Sequence, residues 1–205
     1  MDIKRMEISL LVAFVMLVFI GQITAFAEDS DNIRENTLRL HIMADSNSEK
    51  AQKVKLYIRD FVLNKYGNQL ANSENLNSAK ENTANLLYDM ESDINAELNK
   101  MGEHYKAKCE LCNMYFSTRY YDNFTMAAGE YDALRITLGK GEGKNWWCVM
   151  YPPLCLGSSL AKTTATEKEI YKTSEEFAFI PKFAAIEIWQ SLKNKKQNGI
   201  KSKLR

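Results

Sequence analysis

The sequence predicts a single α+β domain with an N-terminal strand, two helices, a small mainly antiparallel sheet and a C-terminal helix. Three observations predict it. Leu38-Arg39-Leu40-His41-Ile42 alternates apolar and polar side chains, as a half-buried strand does. Residues 49 to 101 carry apolar side chains at helical spacing in two runs, and residues 105 to 151 turn aromatic and alternating, which favours strands. With 205 residues and 45% hydrophobic content the chain can bury a core of its own, and one compact unit is expected. Its 27 basic and 26 acidic residues leave a net charge of +1, so no global field draws nucleic acid, and no nucleic-acid partner is expected.

The N-terminus reads as an export signal over residues 1–27. Lys4 and Arg5 precede an uninterrupted apolar run from Leu10 to Ile20, and Ala25-Phe26-Ala27 ends the segment in a small-x-small cleavage pattern. The run is short against the roughly 20 residues needed to cross a hydrocarbon core, so cleavage after Ala27 is favoured over a retained signal anchor. Residues 28–37 read as a polar leader, loose after cleavage. The core domain is expected over 38–155, and a loop, helix and basic tail over 156–205.

The strand at 38–44 ends in Asp45-Ser46-Asn47-Ser48, where Ser46 with Glu49 forms a capping box that opens a helix. Ala51, Val54, Ile58, Phe61 and Val62 share one face of it, and Gly67 is expected to stop it near residue 66. A second helix spans roughly 74–101. Leu76, Ala79, Thr83, Leu86, Met90, Ile94, Leu98 and Met101 form its core stripe, and Gly102 terminates it. Asp89, Glu91, Asp93 and Glu97 lie off that stripe and read as a solvated surface, since no loop converges them on a metal.

Strands follow at 105–121, 132–138 and 147–150. Between the last two, Gly139-Lys140-Gly141-Glu142-Gly143-Lys144-Asn145 resembles a phosphate cradle only superficially, because Leu138 stands where the first glycine of that motif belongs and Asn145 where its hydroxyl belongs. No nucleotide cofactor is expected. After a polar stretch to about Thr173, Pro181 suits the first turn of a final helix in which Phe183, Ile186, Ile188, Trp189 and Leu192 supply apolar surface. Lys193, Lys195, Lys196, Lys201, Lys203 and Arg205 close the chain without an acidic residue, a solvated tail or a peripheral contact with anionic lipid.

The four cysteines are Cys109, Cys112, Cys148 and Cys155. Export to an oxidising compartment favours disulfides. Cys148 and Cys155 bracket the Pro152-Pro153 turn closely enough for a bridge that would lock it. Cys109-Glu110-Leu111-Cys112 is open to four readings: a redox pair, a zinc half-site completed by the other two cysteines, a second bridge, or core thiols of a strand. The compartment disfavours the first two, and no resident metal is expected.

Catalysis requires a titratable constellation, and none is evident. The two histidines, His41 and His104, have no ligand spacing, and no nucleophile elbow is present. Glu130 and Asp132 are an acid/base pair only in principle, and no catalytic residue or small-molecule substrate is assigned. Recognition chemistry stands out instead. Trp146, Trp147 and Tyr151 beside the Pro-Pro turn offer large rigid apolar area with polar handles, the side chains that dominate binding hot spots. Strand alternation sends the two tryptophans to opposite faces.

Two blocks resemble a known family. Arg39-Leu40-His41-Ile42-Met43-Ala44-Asp45-Ser46-Asn47-Ser48, with Gln52, Lys55 and Arg59-Asp60, is similar to the N-terminal block of the stage II sporulation protein R family. Ala128 to Ile136, the three glycines of 139–143, Asn145-Trp146-Trp147-Cys148 and Pro152-Pro153-Leu154-Cys155 resemble its central block. Asp45 and Asn47 stand in exchanged order relative to the family pattern, which retains turn and capping chemistry, and Cys109 and Cys112 fall outside it. The resemblance implies a protein exported from the forespore into the space between the forespore and mother-cell membranes. Its implied partner is a membrane-embedded aspartic protease of the mother cell, which it activates and which then processes the precursor of the mother-cell sigma factor. It implies a ligand of that protease and no enzyme. Trp146, Trp147 and Tyr151 are then the expected contact residues, with Arg39, His41, Glu130 and Arg135 in second rank. An exported hydrolase using Glu130 and His41, and a structural spore-envelope component, are the rival expectations.

Overall fold

The computed structural model describes residues 3–121, 124–154, 170, 184 and 186–193. Its elements are α1 (Ile3–Glu35), β1 (Leu38–Met43), α2 (Glu49–Ala71), α3 (Leu76–Lys100), β2 (Ala107–Phe116), β3 (Arg119–Tyr120), β4 (Thr125–Met126), β5 (Gly129–Leu138) and β6 (Asn145–Tyr151). The α+β class is the expected one. The chain groups into two compact units: Met1–Arg34, Ser117–Gly129 and Glu169–Arg205 make one, Glu35–Phe116 and Glu130–Lys168 the other.

The second unit is built on a four-stranded sheet in the order β2-β5-β1-β6. β1 runs parallel to β5 and antiparallel to β6. The bonds from Gly139 N–H to Lys106 O, from Arg135 to Glu110 and from Asn113 to Asp132 climb one strand while descending the other, so β2 and β5 are antiparallel. The sheet is therefore mixed. Period-two alternation turns Leu38, Leu40, Ile42, Leu134, Ile136 and Leu138 to one face, where they pack with Val54, Ile58 and Val62 of α2 and Met90, Ile94 and Leu98 of α3. All of these are at most 2% exposed, and truncating one of the large residues to alanine would cost about 2–5 kcal/mol.

Two helix boundaries differ from expectation. The N-cap of α2 is Ser48, whose Oγ accepts the Ala51 N–H at 3.2 Å, while Ser46 sits outside the helix and accepts the Ser48 N–H. α2 also runs through Gly67 to Ala71, because Tyr66 and Leu70 continue its buried stripe and that packing outweighs glycine's roughly 1 kcal/mol helix penalty. α3 matches its predicted span, opens on an Asn75/Ser78 capping box and is followed by Gly102 at φ 73°. Its carboxylates are not merely solvated. Asp93 accepts Lys65 and Tyr66 of α2, Glu97 accepts the Tyr57 hydroxyl at 2.8 Å, and Glu91 accepts the Cys109 N–H at 2.8 Å. They fasten α3 to α2 and to β2.

In the first unit, α1 continues through Ala27 to Glu35, so with the preceding segment attached residues 28–35 are helical. Burial of Ser30, Ile33 and Arg34 holds them there, with Arg34 paired to Asp31 and its Nη1 donating to Ala128 O at 3.3 Å. The earlier part of α1 exposes Leu10, Leu11, Val12, Phe14, Val15 and Leu17. Among the described residues no helix is long and apolar enough to cross a membrane. β3 and β4 pair as a two-stranded ribbon. Residues 186–193 are helical as expected, but only Ile186 is buried, while Ile188, Trp189 and Leu192 face water. Pro181 and Phe183 lie outside the described residues.

Candidate functional site

The two sequence blocks meet at the end of β1. The glycine loop that follows β5 folds over the Asp45-Ser46-Asn47 turn and bonds to it residue by residue. Asp45 Oδ1 accepts the Lys140 N–H at 2.9 Å, Asp45 O the Glu142 N–H at 3.2 Å, Ala44 O the Gly143 N–H at 2.9 Å, and Asn47 Oδ1 the Lys144 N–H at 2.9 Å. The resemblance to a phosphate cradle has a limited physical basis, since one loop amide, that of Lys140, does meet an anion while the others meet neutral oxygens. That anion is the protein's own Asp45 carboxylate. Both turn residues act through a side-chain oxygen, which either Asp or Asn supplies, so their exchanged order preserves the bonding. A side chain at Gly143 would run into the Ser46 carbonyl, and one at Gly139 into the Asp45 carboxylate.

α2 buttresses the junction. Gln52 Nε2 donates to Ser46 O at 2.9 Å, and Lys55 Nζ donates to Gln52 Oε1 at 2.7 Å and to Lys144 O at 2.9 Å. Lys55 is 5% exposed, and burial, then the nearby charges of Arg59 and Lys144, hold its ammonium below the ordinary lysine range. One turn on, the Arg59 guanidinium lies 5.3 Å from the centre of the Trp146 ring. Gln52, Lys55 and Arg59, distant from the glycine loop in sequence, thus complete one rigid corner with it.

The other face of the sheet is aromatic and cationic. Arg39 is fully buried with its guanidinium 4.0 Å from the Phe116 ring centre and 4.9 Å from that of Tyr131. His41 is buried as well, stacked on Trp147 at 3.8 Å and 8°, with Phe116 edge-on to Trp147 at 4.9 Å. Arg135 pairs with His41 in register and bonds Glu110, its Nε at 2.7 Å from the carboxylate. The Glu110 carboxyl is held below the ordinary range by Lys108 and Arg135.

The seven expected recognition residues are therefore divided. Arg39, His41 and Trp147 come together, with Arg135 next along the same face. Trp146 lies on the opposite face, against the helices. Tyr151 is buried, because a register shift between Leu38 and Arg39 turns it to the core side, where its hydroxyl donates to Glu74 O at 3.2 Å. Glu130 is exposed and stands apart. His41 aligns with Arg135, five residues along β5 from Glu130, a separation of roughly 16 Å that no acid/base pair bridges. Phe116 and Tyr131 were not singled out from the sequence, although their positions in aromatic alternating segments carry the signal.

Cys148 is disulfide-bonded, whereas Cys109 and Cys112 are free. Cys155, the expected partner of Cys148, lies outside the described residues. Three residues apart on β2, Cys109 and Cys112 point to opposite faces and can neither bridge nor share a metal. Burial and the Glu91 carboxylate push the Cys109 thiol up to about 12, the opposite of what a redox thiol requires. Core thiols is the reading that fits. No group of three or more potential metal ligands occurs among the described residues.

No solved structure matches the chain. Over 151 residues it is 30% identical to stage II sporulation protein R of Bacillus subtilis (strain 168), covering 69% of this chain and 67% of that protein. The family model described as stage II sporulation protein R matches residues 34–161, a span that contains the turn, the glycine loop, α2, Trp146 and Trp147, and by that match the chain belongs to the stage II sporulation protein R family.

Proposed function

We propose that the protein is an exported sporulation signal that works by being bound. It crosses from the forespore into the space between the two membranes and engages a membrane-embedded aspartic protease of the mother cell. The activated protease then removes the pro-sequence of the mother-cell sigma-factor precursor. Family membership supports this reading. So does one feature of the site: the polar groups of both characteristic blocks bond one another, so the blocks build a stiff corner suited to recognition.

We place the contact surface where that corner meets β6, an edge strand among the described residues, with Trp146 and Arg59 on its rim. Tyr151 and Trp147, buried or stacked inward, support that surface from behind. The test is deletion of the gene followed by a blot for the sigma-factor precursor. Unprocessed precursor is expected, restored by the wild-type chain and weakened by Trp146→Ala with export intact. Normal processing in the deletion strain would overturn the reading. A structural envelope role predicts instead stoichiometric retention in purified spores. The hydrolase reading is disfavoured by the separation of Glu130 from His41, and Glu130→Gln is expected to signal normally.

A further inference from the structure

The helical segment 186–193 reverses the usual pattern of a surface helix. Ile186 is 5% exposed and packs with Ala127 and Ala27, whereas Ile188, Trp189 and Leu192 are 62%, 68% and 59% exposed. At 3.6 residues per turn these three fall within an arc of about 100°. Glu187, Gln190 and Ser191, the polar residues, are the half-buried ones. The water-facing side of this helix is an apolar stripe.

The sequence that follows indicates what covers it. Lys193, Lys195, Lys196, Lys201, Lys203 and Arg205 come without an acidic residue among them. A second copy of the chain seated on the stripe would bring the same cations against these, which disfavours self-association. Tryptophan, branched aliphatics and a run of cations together match the boundary between anionic headgroups and acyl chains.

We propose that residues 186–193 form a peripheral contact with an anionic lipid surface, with Ile188, Trp189 and Leu192 inserted at the headgroup level. This goes beyond the signalling reading and does not depend on it. Each cation near such a surface raises affinity by about fivefold, and the inserted stripe makes the contact persist where charge alone would be screened.

The test uses the full chain with vesicles of phosphatidylcholine, with and without phosphatidylglycerol, carrying brominated acyl chains. Since α1 can hold the chain on any vesicle, the readout is quenching of Trp189, taken as the difference between wild type and Trp189→Phe. Quenching is expected on the phosphatidylglycerol vesicles, weaker on phosphatidylcholine alone and in high salt. Replacing Ile188 and Leu192 with serine, both exposed, should reduce the anionic-lipid component by about tenfold or more while leaving the circular dichroism of the fold unchanged. Trp189 emission that bromine leaves untouched on anionic vesicles would overturn the proposal. So would quenching equal on both vesicles and insensitive to salt, or a lipid-free doubling of mass abolished by the serine variant, which would make the stripe a self-interface.

Discussion

Asp45 occupies the space that a side chain on Gly139 would need, and from there its carboxylate accepts the amide of Lys140 at 2.9 Å. Gly139 has φ 56°, in the left-handed region that other residues adopt at a cost. The turn after β1 and the loop after β5 are thus made for each other. Gly139→Ala is expected to destabilise the chain by about 2–3 kcal/mol, through backbone strain and collision with Asp45. Asp45→Ala, which leaves the Lys140 amide without its acceptor, is expected to cost about 1–2 kcal/mol. In the double variant the collision disappears, so the two losses should fall short of additivity by at least about 0.5 kcal/mol in urea unfolding. Strict additivity would show that the carboxylate and the loop do not hold each other.

That junction also explains what the sequence could and could not reveal. The strand at 38–43 was legible because Leu38, Leu40 and Ile42 repeat with period two, and α3 because its stripe repeats every three or four residues. Serines at 46 and 48 are locally equivalent as caps. What assigns Ser48 to the helix is a loop some 95 residues away that bonds the carbonyls of Ala44 and Asp45 just before Ser46. Likewise nothing local predicted that His41 would be enclosed by Trp147 and Phe116. Alternation correctly divided Trp146 from Trp147. Tyr151 followed a register shift that no single-strand pattern encodes.

The thiols give a check on the assignment of β2. Unfolded without reductant, the chain should show two reactive cysteines, Cys109 and Cys112, and after reduction all four. In the native state near neutral pH, half-buried Cys112 should be alkylated before Cys109, whose thiol is buried and shifted up to about 12. Faster labelling of Cys109, followed by mass spectrometry of the peptides, would be incompatible with its placement on the core side of β2.

Alkaline conditions should weaken the fold through its tyrosines. Burial, then the Glu103 and Asp45 carboxylates, push the Tyr105 phenol up to about 12, and burial with a hydrogen bond to Asp93 raises Tyr66 as well. Above the unfolded value of about 10 the unfolded chain loses these protons while the folded chain keeps them, so stability present below about pH 10 is lost as pH rises toward 12. Lys55 acts in the opposite sense. Its lowered folded value means that unfolding takes up a proton just below 10.5, which favours the fold as pH rises through that interval. Comparing urea midpoints at about pH 9 and about pH 11.5, Tyr105→Phe should lose about 1 kcal/mol less than wild type, allowing for partial exposure of the phenol. An identical loss in both would remove Tyr105 from the account.

The adjacent tryptophans should respond differently to the same substitution. Trp147 stacks on His41 and meets Phe116 edge-on, in contact with the stratum that also holds the buried Arg39 guanidinium, so Trp147→Ala leaves a void among interlocked rings and is expected to cost about 2–4 kcal/mol. Trp146 packs on the helical side under Arg59, where truncation removes a cation–π contact and part of a half-buried ring, a loss of about 1–2 kcal/mol. The signalling readout should invert that order relative to stability. Under the proposed function, Trp146→Ala is expected to fold and be exported yet support processing of the sigma-factor precursor poorly, whereas Trp147→Ala should fail in proportion to its lost stability and recover with Trp147→Phe, which restores a stacking ring for His41. If Trp146→Ala signals fully while a Trp147→Phe chain of wild-type stability does not, the contact surface lies on the other face of β6.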